Sequence, residues 1–247
     1  MPAIKKKRLD ILVLEKGLAK SRQRSRSLIM AGSILVDNQP VDKPGTMVAE
    51  GAVIVKKGSE LPFVSRGGLK IEQAISCLGL DVNKYVCLDV GASTGGFTDC
   101  LLQHGASRVY AIDVGYGQLA WKLRQDLRVI VIERTNIRNA TTEILPEPFD
   151  LASIDVSFIS LKIVVPVVKK FLKQNGKILA LIKPQFEVGK GMVGKGGVVK
   201  DPALHESVIN ELSVFFSKLG FMVGPVVPSP VLGPKGNKEF IIYLMAS

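Results

Sequence analysis

Two ionisable residues stand directly after apolar segments of the kind that form buried strands. Asp155 closes such a segment in SIDVSF, and Lys183 follows the apolar run 178–182 in LIKPQF. Open α/β sheets bind ligands at the carboxyl ends of parallel strands, so both side chains are candidates for a reactive site. Lys70, in an upstream helix, and Glu239, at the start of the last strand, are two further candidates. Each residue alone also fits a structural role: a buried Asp satisfied by backbone, a solvated lysine or a strand-end Glu.

A glycine-rich turn in LDVGASTGGFTDC, residues 88–100, predicts where a ligand binds. A strand at Val86–Val90 leads into the turn and a helix at Phe97–Gln103 follows it, which leaves free N–H groups facing the turn. Glycines without a Cβ atom let a ligand approach the backbone closely. The pattern D-x-G-x-x-x-G-G-F lacks the second glycine of a dinucleotide fingerprint and has an acid before the first glycine.

These features predict an adenosyl ligand with a cationic amino-acid end, namely S-adenosylmethionine. Asp89 suits the cationic end, and Asp113 closes the next strand, where a carboxylate can hold ribose hydroxyls. An ordinary tight turn between a strand and a helix is the alternative. The predicted cofactor-binding residues are Asp89, Gly91, Ser93, Thr94, Gly95, Gly96, Phe97 and Asp113.

The composition restricts the class of protein. The 247 residues carry a formal net charge of +11, which favours nucleic acid over a membrane surface as partner, with a solvated basic surface as the alternative. No apolar stretch approaches ~20 residues, and no apolar region follows the basic start, so neither a membrane span nor a signal peptide is expected. Three cysteines without C-x-x-C spacing indicate free thiols in a reducing cytoplasm. His104 and His205 are isolated in the sequence, so no metal site is expected.

Residues 5–60 are predicted to form a small α+β domain. Helices at Leu9–Leu18 and from Ser21 to Met30 precede strands near Ile34–Val36, Val41 and Ala52–Val55. The segment from Ser21 to Lys57 resembles the RNA-binding domain first seen in small-subunit ribosomal protein S4. Such modules read the shape and phosphates of structured RNA. The resemblance implies phosphate contacts by Arg22, Arg24, Arg26, Lys43, Lys56 and Lys57.

A linker is predicted at residues 61–64 and an α/β domain at 65–247. From Tyr85 onward, strands alternate with helices, which predicts a doubly wound, mostly parallel sheet. The last two of seven strands have no helix between them and are expected to pair antiparallel at one edge. The strands are predicted at Tyr85–Val90, Arg108–Asp113, Arg128–Glu133, Asp150–Asp155, Lys177–Lys183, Phe221–Val227 and Glu239–Leu244, and the helices at Ser65–Leu80, Phe97–Gln103, Gln118–Arg124, Leu161–Gln174 and Asp201–Leu219.

Four motifs, LDVGASTGGFTD, SIDVSFISL, LIKPQFE and GNKEF, closely resemble the FtsJ-like ribose 2′-O-methyltransferases of the TlyA (hemolysin A) family. The resemblance covers nearly the whole chain. It implies a class I, Rossmann-like methyltransferase that modifies a ribose 2′-OH, on a cytidine, in ribosomal RNA or ribosomal subunits. It implies S-adenosylmethionine as cofactor and a catalytic set of Lys70, Asp155, Lys183 and Glu239. The reaction needs no metal, and the sequence leaves the oligomeric state open, with a monomer favoured.

The implied reaction explains why amines and carboxylates occur together. A ribose hydroxyl must lose its proton as it attacks the sulfonium methyl. A lysine can take that proton only if part of its population is neutral, which requires burial or cationic neighbours. Lys183 is expected to accept or relay the proton, with Lys70 as the second cation and the two carboxylates orienting the amines. Alignment of the reacting atoms is expected to supply much of the rate.

Three other functions compete with this hypothesis. A pore-forming cytolysin, which the family's historical name suggests, requires a signal or a membrane element. A non-catalytic ribosome-binding factor would need neither the glycine turn nor the catalytic set. A base methyltransferase commonly carries N/D-P-P-Y where this chain has Asp155 followed by Val156. The glycine-rich segment Gly189–Gly197 nearly spells a phosphate loop but has Gly196 in place of the hydroxyl residue, and it is interpreted as a mobile basic loop near the substrate.

Overall fold

The computed structural model describes residues 6–37, 39–57, 61–189, 191–194 and 196–246. The chain divides into two compact units, Met1–Glu60 and Leu61–Ser247. The turn residue Asn38, residues 58–60, and Lys190 and Lys195 of the glycine-rich segment lie outside the described residues.

The smaller unit has a core of its own between two short helices and two small antiparallel sheets. Strand β1 pairs with β4, and β2 lies between β3 and β5. Leu9, Val13, Ile29 and Ile34 are completely buried in this core. Strands β1 and β4 were not predicted; β1 consists of charged residues only and has no apolar alternation. The elements are β1 (Lys6–Arg8), α1 (Leu9–Glu15), α2 (Arg22–Met30), β2 (Ile34–Val36), β3 (Gln39–Pro40), β4 (Met47–Ala49) and β5 (Ile54–Lys56).

The larger unit alternates strands and helices, as predicted from the sequence. Its elements are α3 (Gly67–Leu78), β6 (Val86–Val90), α4 (Gly96–Gln103), β7 (Arg108–Ile112), α5 (Trp121–Arg124), β8 (Val129–Ile132), β9 (Phe149–Ile154), α6 (Leu161–Lys169), β10 (Leu172–Ile182), α7 (Pro184–Glu187), α8 (Pro202–Lys218), β11 (Phe221–Pro228) and β12 (Phe240–Ala246), with single 3-10 turns at Ile137–Asn139 and Pro234–Gly236.

The seven strands of this unit form one sheet in the order β11-β12-β10-β9-β6-β7-β8. Strands β10, β9, β6, β7 and β8 are parallel, and β12 is antiparallel to both β10 and β11. The prediction of a mostly parallel seven-stranded sheet with an antiparallel pair at one edge is therefore confirmed. The central strands are apolar and bury side chains on both faces, as parallel sheets do.

Several element bounds differ from the predictions; the helix expected at Gln118–Arg124, for example, begins at Trp121. Two of the differences have a clear physical cause. The helix expected at Leu161–Gln174 ends at Lys169, and β10 begins at Leu172. The backbone of Phe171 already accepts a hydrogen bond from the amide of Phe149 at the start of β9, so sheet pairing replaces the helix there. Residues 61–64, predicted as a linker, belong to the larger unit, because Phe63 is buried in its core and the Val64 amide donates to Asp99.

Among the described residues, no helix combines the length and apolar composition that a bilayer crossing requires.

Candidate functional site

Asp155 and Lys183 meet at the carboxyl edge of the sheet. Each follows the last residue of its strand, β9 or β10, and these strands are neighbours, so parallel pairing brings the two side chains together. The Lys183 Nζ lies 2.6 Å from Asp155 Oδ1 and donates to Ser157 Oγ at 3.0 Å. The first contact is an ion pair outside hydrogen-bond geometry, which leaves Asp155 Oδ1 without a hydrogen-bond donor among the described residues.

Lys70 and Glu239 complete the cluster from two other elements. The Lys70 Nζ donates to Glu239 Oε2 at 2.6 Å and lies 3.9 Å from Asp155 Oδ2. Lys70 projects from the first turns of α3, and Glu239 immediately precedes β12, the strand beside β10. Three of the four residues are buried, and Asp155 is partly exposed. The structure thus brings together all four residues of the predicted catalytic set, with Asp155 between the two lysines.

Two cavities adjoin this cluster and share Gly91, Ser93 and Asp155 in their walls. The larger, of about 1100 Å³, extends over the ends of β6, β7 and β8 and reaches Asp113. The smaller, of about 490 Å³, lies beside Lys70 and the start of α4. The combined space is adequate for a nucleoside-sized ligand, since small-molecule sites are typically about 300–1,000 Å³. Asp155 therefore lies between a ligand-sized cavity and the two lysines, Lys70 and Lys183, that contact its carboxylate.

The glycines of the turn are required by protein packing as well as lying at the cavity walls. A Cβ atom on Gly91 would collide with the Asp155 carbonyl, one on Gly95 with Leu123, and one on Gly96 with Ser65. Gly91 and Gly95 also have φ values of +83° and +92°, which side chains disfavour. The sequence attributed these glycines to close ligand approach. The structure adds a second reason, because the turn must also fit between neighbouring elements. Gly91 and Gly96 still line the cavities together with Ser93, Thr94 and Phe97, whereas Gly95 lines neither.

Asp89 does not line either cavity, in contrast to the prediction of direct cofactor contact. It is fully buried, and its Oδ2 accepts from both the amide and the hydroxyl of Thr98, while Oδ1 accepts from Ser153 Oγ. Burial raises the pKa of Asp89 to about 6, although the hydrogen bonds from Thr98 and Ser153 act in the opposite direction. Asp89 therefore ties β6 to the first turn of α4 and to β9 from behind the cavity.

Asp113 does line the larger cavity, where the sequence expected a carboxylate for ribose hydroxyls. Its Oδ2 accepts from the Ser93 amide at 2.8 Å and its Oδ1 from the Gly115 amide at 2.7 Å. Each carboxylate oxygen has two lone pairs, so each can accept a further hydrogen bond from a ligand. The two backbone bonds fix the orientation of the carboxylate before a ligand arrives.

Several cavity residues were missed by the sequence reasoning. Phe158 is 90% exposed, has a φ of +64°, and packs against Phe186 with ring centroids 4.9 Å apart. Thr135 and Asn136 follow β8, and applying the strand-end rule to that strand would have found them. The signal for Phe158 was weaker, because an aromatic residue after a strand is usually core. The missed lining residues include Gln118, Thr135, Asn136, Arg138, Ser157, Phe158 and Phe186.

The predicted RNA-binding residues lie on the smaller unit. Arg22, Arg24 and Arg26 are all exposed on α2, but Arg24 lies on the other flank of the buried stripe from Arg22 and Arg26. The Arg22 Nε donates to the buried Asp10 at 3.0 Å, so this side chain also stabilises the unit. Lys43 and Lys57 are exposed, and Lys56 is partly buried.

Comparison with known protein families divides the chain into the same two parts as the structure does. An FtsJ-like methyltransferase family model matches residues 63–246, and an S4 domain model matches residues 7–54. The 16S/23S rRNA (cytidine-2′-O)-methyltransferase TlyA of Mycobacterium tuberculosis is 46% identical over 238 residues, which cover 96% of this chain and 89% of that protein. Hemolysin A of Brachyspira hyodysenteriae is 38% identical over 239 residues, which cover 96% of this chain and 99% of that protein.

A solved structure of a hemolysin-named protein from Streptococcus thermophilus superimposes with a TM-score of 0.77 at 42% identity, covering 99% of this chain and 90% of that one. The similarity therefore extends across both units of the chain.

Proposed function

The chain belongs to the TlyA group of the FtsJ-like methyltransferase family, and from that premise we propose that it methylates a ribose 2′-hydroxyl of a cytidine in ribosomal RNA, with S-adenosylmethionine as donor. The observation that carries the proposal is the Lys70–Asp155–Lys183–Glu239 cluster beside a nucleoside-sized cavity. Neither ribosome binding alone nor membrane lysis requires two buried lysines on either side of a carboxylate that lines both cavities.

The cavity residues fit the proposed cofactor. Asp113 presents a pre-oriented carboxylate suited to two ribose hydroxyls, and the polar groups of Ser93 and Thr94 line the walls near the glycine turn. Asp89 supports the turn indirectly, through Thr98 and Ser153. When bound, S-adenosylmethionine supplies an electrophilic methyl group on a sulfonium.

We propose that Lys183, in the fraction of molecules in which its amine is neutral, takes the hydroxyl proton from the 2′-oxygen onto its Nζ. Asp155 and Ser157 hold that Nζ from two directions, at 2.6 Å and 3.0 Å, so the amine cannot swing away from the cavity edge. Lys70, held by Glu239, lies on the opposite side of Asp155. The second cation offsets the charge of Asp155, which would otherwise act on Lys183 alone. Pre-organised groups of this kind require no rearrangement as the reaction proceeds.

Two other sets of residues are proposed to contact the RNA. Exposed Arg24 and Arg26 on the S4-like unit supply phosphate contacts, in keeping with the net charge of +11. Phe158 and Phe186 at the cavity wall offer aromatic surface on which a splayed-out base can stack. A ribosomal substrate places the reaction in the cytoplasm.

The decisive experiment measures transfer of labelled methyl from S-adenosylmethionine to purified ribosomal subunits and to naked ribosomal RNA, with Lys183→Ala in parallel. We expect the label on a ribose 2′-oxygen, and mapping the modified nucleotide assigns the subunit and the base. Label on a base or on a ribosomal protein would overturn the assignment. So would equal incorporation by the variant.

A further inference from the structure

Glu72, Cys100 and His104 form a cluster between α3 and α4. The His104 Nε2 lies 2.6 Å from Glu72 Oε2, and the Cys100 Sγ lies 3.4 Å from the same oxygen. One donor atom from each residue lies within 4.8 Å of the other two. In the sequence His104 was interpreted as isolated. The packing of α3 against α4 brings Glu72 beside it and corrects that interpretation.

The three residue types and their spacing suit a metal ion. Cys100 and His104 are four residues apart, which places both side chains on the same face of α4 and its C-terminal end. Thiolate, imidazole and carboxylate are the usual ligands of zinc, and three protein ligands plus water are the common set where one position stays open. We propose that Glu72, Cys100 and His104 bind one Zn²⁺ ion.

The charges and distances of the cluster are compatible with this ion. A thiolate and a carboxylate together neutralise Zn²⁺, and a neutral imidazole adds no charge. Zinc–ligand bonds of about 2.0–2.3 Å set tetrahedral donors roughly 3–4 Å apart, so the Glu72 and His104 donor atoms need to separate by roughly 0.4–1.4 Å from their 2.6 Å contact. The Ser76 hydroxyl donates to the other oxygen of Glu72 at 3.2 Å and would orient that ligand from outside.

The ion has a route to the cluster. The side chains of Glu72 and His104 are 37% and 30% exposed, whereas Cys100 is completely buried behind them. Water can therefore enter and complete the coordination on the solvent side.

Such an ion would join the two helices on which the cavity depends. Lys70 lies two residues before Glu72 on α3, and α4 begins at the glycine turn. A shared ligand set on α3 and α4 would hold these elements at a fixed distance. The proposed role is to hold α3 and α4 together, with water in place of the fourth protein ligand that structural zinc sites usually have. This role is independent of the methyl-transfer proposal, and it places no metal at the reacting atoms.

Metal binding is tested on the full chain. The protein is first treated with a chelator to strip bound metal, and the chelator is then removed. Zn²⁺ affinity is measured by competition with a chromophoric chelator, and Co²⁺ is added separately as a spectroscopic substitute. We expect one ion per chain and a thiolate-to-cobalt charge-transfer band in the near ultraviolet. Each ligand substitution should lower the Zn²⁺ affinity at least about tenfold, because even the loss of a residue that only orients a ligand costs that much. The three variants are Glu72→Gln, Cys100→Ser and His104→Gln. Affinity should also fall at low pH, since protons compete for the ligands.

Cys77→Ser is the matched control, because Cys77 is an exposed cysteine on α3 outside the cluster. This variant should keep the charge-transfer band and the affinity of the parent. Circular dichroism checks that each variant is folded. If Cys100→Ser does not fold, Glu72→Gln and His104→Gln decide the question, because both replace partly exposed side chains. Absence of stoichiometric binding, or binding that these substitutions leave unchanged, would overturn the proposal.

Discussion

Asp155 lies between Lys183 and Lys70, with its Oδ1 2.6 Å from the Lys183 Nζ and its Oδ2 3.9 Å from the Lys70 Nζ. The relationship is unequal: Lys183 pairs closely with Asp155, whereas the closest acid to Lys70 is Glu239 at 2.6 Å. Two lysines around one carboxylate form a unit whose members depend on each other. Their substitutions should therefore not be additive.

Replacing Lys183 should abolish methyl transfer while the protein stays folded. A lost acid–base residue typically costs about 10²–10⁴-fold in rate. Lys183→Arg should not restore activity, since an arginine stays protonated. Asp155→Ala should be nearly as severe, and the double variant no worse than the worse single one. Single-turnover rates, cofactor affinity and melting temperature are measured on the same preparations.

Lys173→Ala is the matched control, because Lys173 also pairs with an aspartate, Asp150 at 2.8 Å, but at an exposed position away from both cavities. It should retain full activity. A Lys183→Ala protein that is destabilised but turns over normally would show that the ion pair is purely structural.

Asp113→Ala should weaken S-adenosylmethionine binding at least about tenfold, because a hydrogen bond to a charged group contributes roughly 1.5–3 kcal/mol. Calorimetry measures the affinity directly. Asp81→Ala is the control: Asp81 also accepts from the amide two residues on, that of Asn83, but it is exposed and lines neither cavity. Unchanged affinity in Asp113→Ala would remove this carboxylate from the cofactor site.

Deleting residues 1–60 should cost RNA affinity and leave cofactor binding intact, because each unit has its own core. The cut spares Phe63, which is buried in the larger unit. RNA binding by the full chain should weaken steeply with salt, since phosphate contacts release counterions. Binding is followed by filter retention across a salt series. A shortened protein that binds ribosomal RNA as tightly as the parent, with the same salt dependence, would contradict the assignment.

Phe158→Ala should slow methyl transfer without affecting cofactor affinity. Stacking of a base on an aromatic side chain is worth about 1–3 kcal/mol, so roughly a five- to hundredfold loss in kcat/KM for RNA is expected. Tyr116→Ala is the control, because Tyr116 is also an exposed aromatic residue, 68% accessible, but packs under Arg134. Equal effects of the two substitutions would argue against a specific role for Phe158.

The buried Asp89 should make folding stability depend on pH. Its pKa is raised to about 6 in the folded protein, whereas an unfolded aspartate has a pKa of about 3.9. Between these values the folded state binds the extra proton, so the free energy of unfolding should fall as pH rises from about 4 to about 6 and then level off. The loss attributable to Asp89 is about 3 kcal/mol, from two pKa units.

Asp89→Asn removes the titration and keeps the size of the side chain. Urea unfolding of both proteins from pH 4 to 7 gives the difference in stability between them. That difference should shift in favour of the variant as pH rises through about 6. A constant difference, or one that shifts in favour of Asp89, would contradict the raised pKa.

The sequence by itself determined the succession of strands and helices along the chain and the residues that lie at the strand ends. Asp155, Lys183 and Asp113 could be identified because each follows an apolar run, and parallel sheets place such positions at one edge. The alternation of strands and helices determined the sheet type, because short apolar runs between amphipathic helices have few other ways to be buried.

Only the tertiary structure decided which neighbours those residues have. Asp89 and Asp113 look equivalent as acids near the ends of strands, yet hydrogen bonds with Thr98 and Ser153 hold the first in the interior, and the second lies at the cavity. Glu72 and His104 are 32 residues apart in the chain and meet only because α3 packs against α4. Local periodicity records which face of an element is apolar. The identity of the side chain across a packed interface depends on distances between elements, and no local pattern in the sequence contains those distances.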